Sequence, residues 1–306
     1  MMDHTIKRIR RTKRSELEPK NATRIGSVRT FLDALEKLNR SDEEVLFYRG
    51  HSSFTYDLKP SIYRNQGWIE NEHIIFKELI LRCPTDFDSS ESTFQTLVKM
   101  QHYSLPTRLL DITTNPLVAL YFACANSNNA EAGEVIVFRI PKIEIKYFDS
   151  DTVSVISNIS RRPNDFIVPP ETLTLKRFNL NPHISYLLHE IKKEKPYFEP
   201  KILRSHLQSV VCVKPKLNNA RIIRQDGAFL LFGVGNSKLE CAQLPRPYET
   251  QDSPRILVID KHRVKDQLEA LGITKGTIYP EIESVASHIK ETHFKTLDVA
   301  KSIFGF

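Results

Sequence analysis

Leu117-Val-Ala-Leu-Tyr-Phe-Ala-Cys-Ala125 is the longest uninterrupted apolar run in the chain, and it follows directly on Asn115-Pro116. Asparagine is a strong helix N-cap and proline suits the first helical position, so the pair predicts a sharp helix start. A helix apolar on nearly every side has no face to give to water, and must be enclosed by other elements. The run is far short of the ~20 residues that a membrane-spanning helix needs. It therefore points to a core helix in a sizeable body, for which 306 residues at 40% hydrophobic and 26% charged supply the material.

The segments around this helix alternate in type without a regular βαβ beat. Ser27 is a candidate N-cap ahead of Val28, Phe31, Leu32, Leu35 and Leu38 at helical spacing. Glu44–Arg49 reads as a strand stopped by Gly50, residues 68–81 as a helix, and 92–100 as another. Gly133 leads into the β-branched strand 134–140, after which the pattern weakens to about Pro170, with one short strand at 144–148. Asn181-Pro182 starts a further helix through Lys193, and 209–213 reads as a strand. Residues 220–224 and 228–232 read as a strand pair joined at Asp226-Gly227. The last strand, 255–260, precedes helices at about 261–271 and 280–291. Variable connections and mixed order imply an α+β body with a mixed, mostly antiparallel or split sheet and flanking helices.

The net charge of +7 is concentrated at one end. Residues 1–25 hold eight basic and three acidic side chains, whereas 26–306 hold thirty-six and thirty-four. This sets off a basic flexible tail, 1–25, from one body over 26–306. The cluster at 7–14 would give nucleic acid a polyanion-binding arm, but a solvated tail is the favoured reading. The chain starts with charges and has no apolar segment behind them, so no secretory signal is readable. Cys83, Cys124, Cys212 and Cys241 are widely spaced with no CxxC pair, which fits reduced core thiols in a cytoplasm and no metal site. No P-loop, dinucleotide fingerprint, zincin or nucleophile-elbow motif is present, and Gly233-Val-Gly235 reads as a strand-ending turn.

Two segments carry polar residues that a plain core would not need. In Phe47-Tyr48-Arg49-Gly50-His51-Ser52, an arginine ends an apolar strand and the glycine after it lets a backbone or a ligand come close. In Met100 to Ala123, His102, Arg108 and Asp111 interrupt an apolar stretch. Buried, they require partners: Arg108 either pairs with Asp111 or reaches an anion, and Arg49, Arg108 and Asp111 together would equally make a structural ion-pair network.

These two segments, Phe-Tyr-Arg-Gly-His-Ser and Gln101-His-Tyr-Ser-Leu-Pro-Thr-Arg-Leu-Leu-Asp-Ile-Thr-Thr-Asn-Pro-Leu-Val-Ala-Leu-Tyr-Phe-Ala123, resemble the FRG domain, found mainly in bacteria and their phages. The resemblance is strongest over residues 25–140. Gln225-Asp-Gly-Ala-Phe229 and Ile278-Tyr-Pro-Glu281 look like features of full-length members. The motifs thus lie in 26–140, and 141–306 completes the sheet and its helices.

Motif order also resembles ADP-ribosyltransferases of the Arg-Ser-Glu class, with their split sheet. That likeness implies NAD as substrate and a toxin or anti-phage effector as the broad role. On it, Arg49, Gly50 and Arg108 form the phosphate side, and Thr113 or Thr114 supports the nicotinamide-side strand. Gln225 or Asp226 approaches the ribose hydroxyls, while His102 or Asp111 orients substrate or serves as acid or base. The departure is that no glutamate stands at the late strand where those enzymes have one. The alternative is a non-catalytic module for an anionic ligand or a protein, in which the same residues are structural.

Overall fold

In the computed structural model, the described residues are 22–38, 41–88, 90–125, 131–245, 248 and 255–281. Among the described residues, eight strands form one sheet: β1 Thr23–Ile25, β2 Glu44–His51, β3 Leu109–Thr113, β4 Gly133–Pro141, β5 Lys146–Tyr147, β6 Val210–Lys214, β7 Gly227–Phe232 and β8 Arg255–Val258. Their order is β1-β8-β4-β2-β3-β7-β6-β5, and the β1/β8 and β5/β6 pairs are parallel while the rest are antiparallel. The expected α+β class with a mixed, mostly antiparallel sheet is what the chain adopts.

The helices are α1 Val28–Glu36, α2 Gln66–Glu70, α3 Glu72–Arg82, α4 Thr93–His102, α5 Pro116–Ala123, α6 Asp151–Asn158, α7 Leu175–Leu180, α8 Pro182–Glu194, α9 Arg204–Leu207, α10 Ala220–Arg224, α11 Lys261–Ala270 and α12 Lys275–Ile278. Capping sets several starts. Ser27 and Ser92 each close a capping box, and Asn115 Oδ1 accepts from Leu117 N and Val118 N at the head of α5.

One face of the sheet is continuous: Phe47, Leu110, Ile112, Ile136, Phe138, Leu230 and Phe232 share a single buried layer. The other face is divided between two groups of helices. Across β1, β8, β4 and β2 lie α1, α5 and α11, burying Phe31, Leu120, Val135 and Leu268. Across β3, β7 and β6 lie α4, α6 and α8, burying Leu97, Val155, Leu187 and Leu231. The seam between the two layers falls at β2 and β3, which share one ladder position, Tyr48 opposite Thr113. By contrast β2 pairs with β4 along its whole length, from Glu44–Pro141 to His51–Glu134.

Helix α5 lies so close to β2 that a Cβ on Gly50 would stand 1.9 Å from the Ala119 carbonyl oxygen and 2.7 Å from Ala123 N. A Cβ on Gly133 would likewise meet the Ala123 carbonyl oxygen at 2.1 Å. The apolar helix is thus bedded on two glycines of neighbouring strands.

Several local expectations are corrected. Residues 220–224 are helical: Asn219 caps α10 by accepting from Arg221 N and Ile222 N, and Ile222 is buried as an α-helical residue despite its β-branching. Asp226 still makes the turn, in the left-handed region at φ 46°, but it joins a helix to β7. The helix read over 68–81 divides into α2 and α3 at Asn71, and the weak stretch before Pro170 contains α6, whose residues 153–158 are all buried. Thr23–Ile25, read as the end of the tail, pair with Ile256–Val258 as β1. The remainder of that tail through residue 21, with the 7–14 cluster, and most of the helix expected over 280–291 lie outside the described residues. All four cysteines are free, with Cys124 and Cys212 buried. Among the described residues, no helix is long and apolar enough to cross a membrane.

Candidate anion-binding cleft

Where β2 and β3 part, a cavity of about 320 Å³ opens between the two helical layers. Residues from both sheet faces line it, Leu110 and Ile112 from one, Leu109 and Phe229 from the other, so it passes into the split itself. Residues of α4, α5 and α10 also line it. Three guanidinium groups, Arg49, Arg64 and Arg221, face it against one carboxylate, Asp111. Phe122, Leu105 and Ile222 supply apolar wall.

Arg49 is held on two sides. Its Nη1 donates to the Asp111 carbonyl oxygen at 2.6 Å and lies 3.9 Å from Asp111 Oδ2, while its Nε donates to His51 Nε2 at 2.9 Å. Nη2 has no hydrogen-bond partner among the described residues. Burial pulls the Arg49 guanidinium down to about 10, with Asp111 opposing and the Arg64 charge adding to the fall, so it remains cationic at neutral pH. A planar donor with one edge fixed and the other prong open suits a phosphate or carboxylate oxygen.

Behind Arg49 stands a buried pair that sequence reasoning missed. His51 and Glu134 are both nearly inaccessible, with His51 Nδ1 3.8 Å from Glu134 Oε2, and Glu134 Oε1 takes Arg255 Nη1 at 3.2 Å. Burial holds His51 below its ordinary value; Arg49 and Arg64 act in the same direction, and Glu134 opposes them. The signal was present in the Arg-x-His spacing, which places both side chains on one face of a strand.

Of the other expected site residues, His102, Asp111, Thr113 and Gln225 line the cavity, as does Gly50. Asp111 Oδ2 accepts from Gln101 Nε2 at 2.8 Å. Thr113 Oγ1 donates to the Gln225 carbonyl oxygen at 2.6 Å and accepts from Asn115 N at 2.9 Å, stitching β3 to the turn before β7. The Gln225 side chain donates to the Ile278 carbonyl oxygen at 3.1 Å. Gly50 is also required by packing, since the backbone of α5 fills the position that its Cβ would take.

Three expectations are displaced from the cleft. Thr114 and Asp226 are exposed and outside the lining; Thr114 N donates to the Asp226 carbonyl oxygen at 3.1 Å, so they tie two turns together. Arg108 is fully buried elsewhere. Its Nε and Nη2 make a two-pronged pair with Glu72 at 2.9 and 2.5 Å, and Nη1 donates to the Phe232 carbonyl oxygen at 3.1 Å. Lys238, also inaccessible, adds a second cation 3.1 Å from Glu72 Oε2. Arg108 therefore pairs with Glu72 in place of Asp111, and the phosphate role expected of it is corrected to a structural one. Burial pushes the Glu72 carboxyl up, but Arg108 and then Lys238 hold it below the usual range.

Residues 44–132 match the family model for the FRG domain, so the chain carries an FRG domain. That segment begins with β2 and ends just before β4. It holds Arg49, His102 and Asp111 with α5, whereas Glu134, Arg221 and Gln225 come from later sequence. No curated protein and no solved structure matches the chain.

Proposed function

We propose that the cleft binds a phosphorylated nucleoside and that NAD is its substrate, in chemistry similar to ADP-ribose transfer. The supporting observation is the open Nη2 prong of Arg49 in the split of the sheet, with Arg64 and Arg221 beside it and apolar wall within the same cavity. Guanidinium groups suit a diphosphate, and the apolar wall suits a base or a nicotinamide ring. His102 and Asp111 are the polar groups available to orient substrate or move a proton. The broader role that follows from the resemblance is a toxin or anti-phage effector of a bacterium or phage, for which growth arrest on expression is the readout.

A second reading has its own observation. Arg49 bonds His51 on its own strand and Asp111 across the point where β2 and β3 separate, as the hub of a structural network would. On this reading the chain is a non-catalytic module for an anionic ligand. Calorimetric titration with NAD and ADP-ribose, together with an assay for free nicotinamide, separates the two. Binding with release supports the enzyme, binding without release supports the module, and absence of binding overturns NAD as the substrate. Arg49→Lys keeps the charge but loses the fork, and should weaken either ligand by about tenfold or more.

A further inference from the structure

The short segment Ile278–Glu281 is gripped by four residues of the cavity lining. Gln225 Nε2 bonds the Ile278 carbonyl oxygen, and Arg221 stacks 4.7 Å from the Tyr279 ring centroid. Phe122 meets the Tyr279 ring edge-on at 6.2 Å, and His102 Nδ1 lies 3.5 Å from Glu281 Oε1. Those four side chains come from α4, α5, α10 and the turn after it, so the segment straps the rim of the cleft from several sides. At its end Glu281 carries a carboxylate whose two oxygens are inaccessible and make no hydrogen bond among the described residues.

A buried carboxylate is costly unless a cation or a donor answers it. The group placed to answer Glu281 is the His102 imidazole. With Nδ1 turned to the carboxylate, Nε2 is the ring nitrogen left for the cleft, and it has no partner among the described residues. A carboxylate beside one ring nitrogen fixes the tautomer and the ring orientation, and leaves the other nitrogen as an acceptor.

We propose that Glu281 is a positioning residue that holds His102 with Nε2 as the cleft's acceptor for a ligand hydroxyl, which assigns the ligand's ribose to the His102 side. This rests on the nucleotide reading above.

The charged groups facing His102 are Glu281 from the strap, which favours its protonated form, and Arg221 from α10, which disfavours it; the Tyr103 ring packs edge-on at 5.0 Å. Burial outweighs the carboxylate and leaves His102 below its ordinary value. Glu281→Gln removes the charge but keeps an oxygen able to accept from Nδ1. The His102 titration, followed by NMR on the full chain without ligand, should then move to lower pH. An unchanged titration overturns the role of Glu281.

The hydroxyl assignment is read with AMP and 2′,3′-dideoxy-AMP as probes. The wild type should prefer AMP by about tenfold, and His102→Phe should bind the two alike. Equal affinities in the wild type overturn the assignment while leaving the nucleotide reading intact. If the wild type binds neither probe, the nucleotide reading falls and the hydroxyl assignment with it, whereas the ligand-free titration still decides whether Glu281 governs His102.

Discussion

Arg49 Nε donates to His51 Nε2 at 2.9 Å, so that nitrogen must carry a lone pair and the imidazole proton must sit on Nδ1, the atom facing Glu134. The open prong of Arg49 is thus aimed by a neutral histidine. A second proton on His51 would remove the acceptor and set two cations in contact inside the protein.

The consequence for stability has a definite sign. His51 has a folded value below its ordinary 6.5, so the unfolded chain takes up this proton at a higher pH than the folded one. Stability is whole above about 6.5 and declines as pH falls toward the folded value. Melting temperature should therefore drop between about pH 7.5 and 5.5. His51→Asn, whose amide oxygen accepts from Arg49 without titrating, should show a shallower slope in thermal denaturation. The wild-type slope in that variant would contradict the account.

Gly50→Ala tests how tightly α5 is bedded. The new methyl would stand 1.9 Å from the Ala119 carbonyl oxygen, and that atom belongs to a helix that cannot yield alone. We expect a loss of about 3 kcal/mol or insoluble protein, measured by urea denaturation. A substitution tolerated within about 0.5 kcal/mol would mean that the helix has room to shift.

The buried Glu72–Arg108–Lys238 cluster gives the opposite lesson about an arginine in a motif. Glu72→Gln leaves two inaccessible cations without their carboxylate, and should cost about 3–5 kcal/mol in chemical denaturation. If the protein folds at lower temperature, anion binding at Arg49 should be preserved, since the cluster does not line the cleft. Wild-type stability in Glu72→Gln would show that the cluster is not structural.

How far the sequence revealed this depends on the range of the interaction. The core helix α5 was legible because its asparagine cap, its first-turn proline and its apolar run are local signals, and so was β4, a β-branched run after a glycine. The residues that line the cleft were largely named from two motifs and a turn. What was hidden is the partner of each charge. Arg108 is three residues from Asp111 yet pairs with Glu72, thirty-six positions away, because successive strand residues point to opposite faces. His51 and Glu134 meet only through the β2–β4 register. Helix α10 was misread because a five-residue helix with two isoleucines has strand-like composition, and it is fixed by the Asn219 cap and by packing of Ile222.

The Gln225 side chain offers a last test of how the rim is held. Its amide bonds the Ile278 carbonyl oxygen across 53 positions, while the Ile278 and Tyr279 amides donate within α12 and its end to Thr274 and Lys275. Gln225→Ala removes one hydrogen bond from outside that helix, worth about 0.5–1.5 kcal/mol. The Ile278 and Tyr279 amides should exchange with deuterium roughly three to ten times faster, while amides in β3 and β7 keep their protection, because the Thr113 bond goes to the Gln225 backbone and survives the substitution. Equal acceleration in β3 would mean that the strap and the sheet open as one unit; no acceleration at all would mean that Tyr279, between Arg221 and Phe122, holds the segment without help from Gln225.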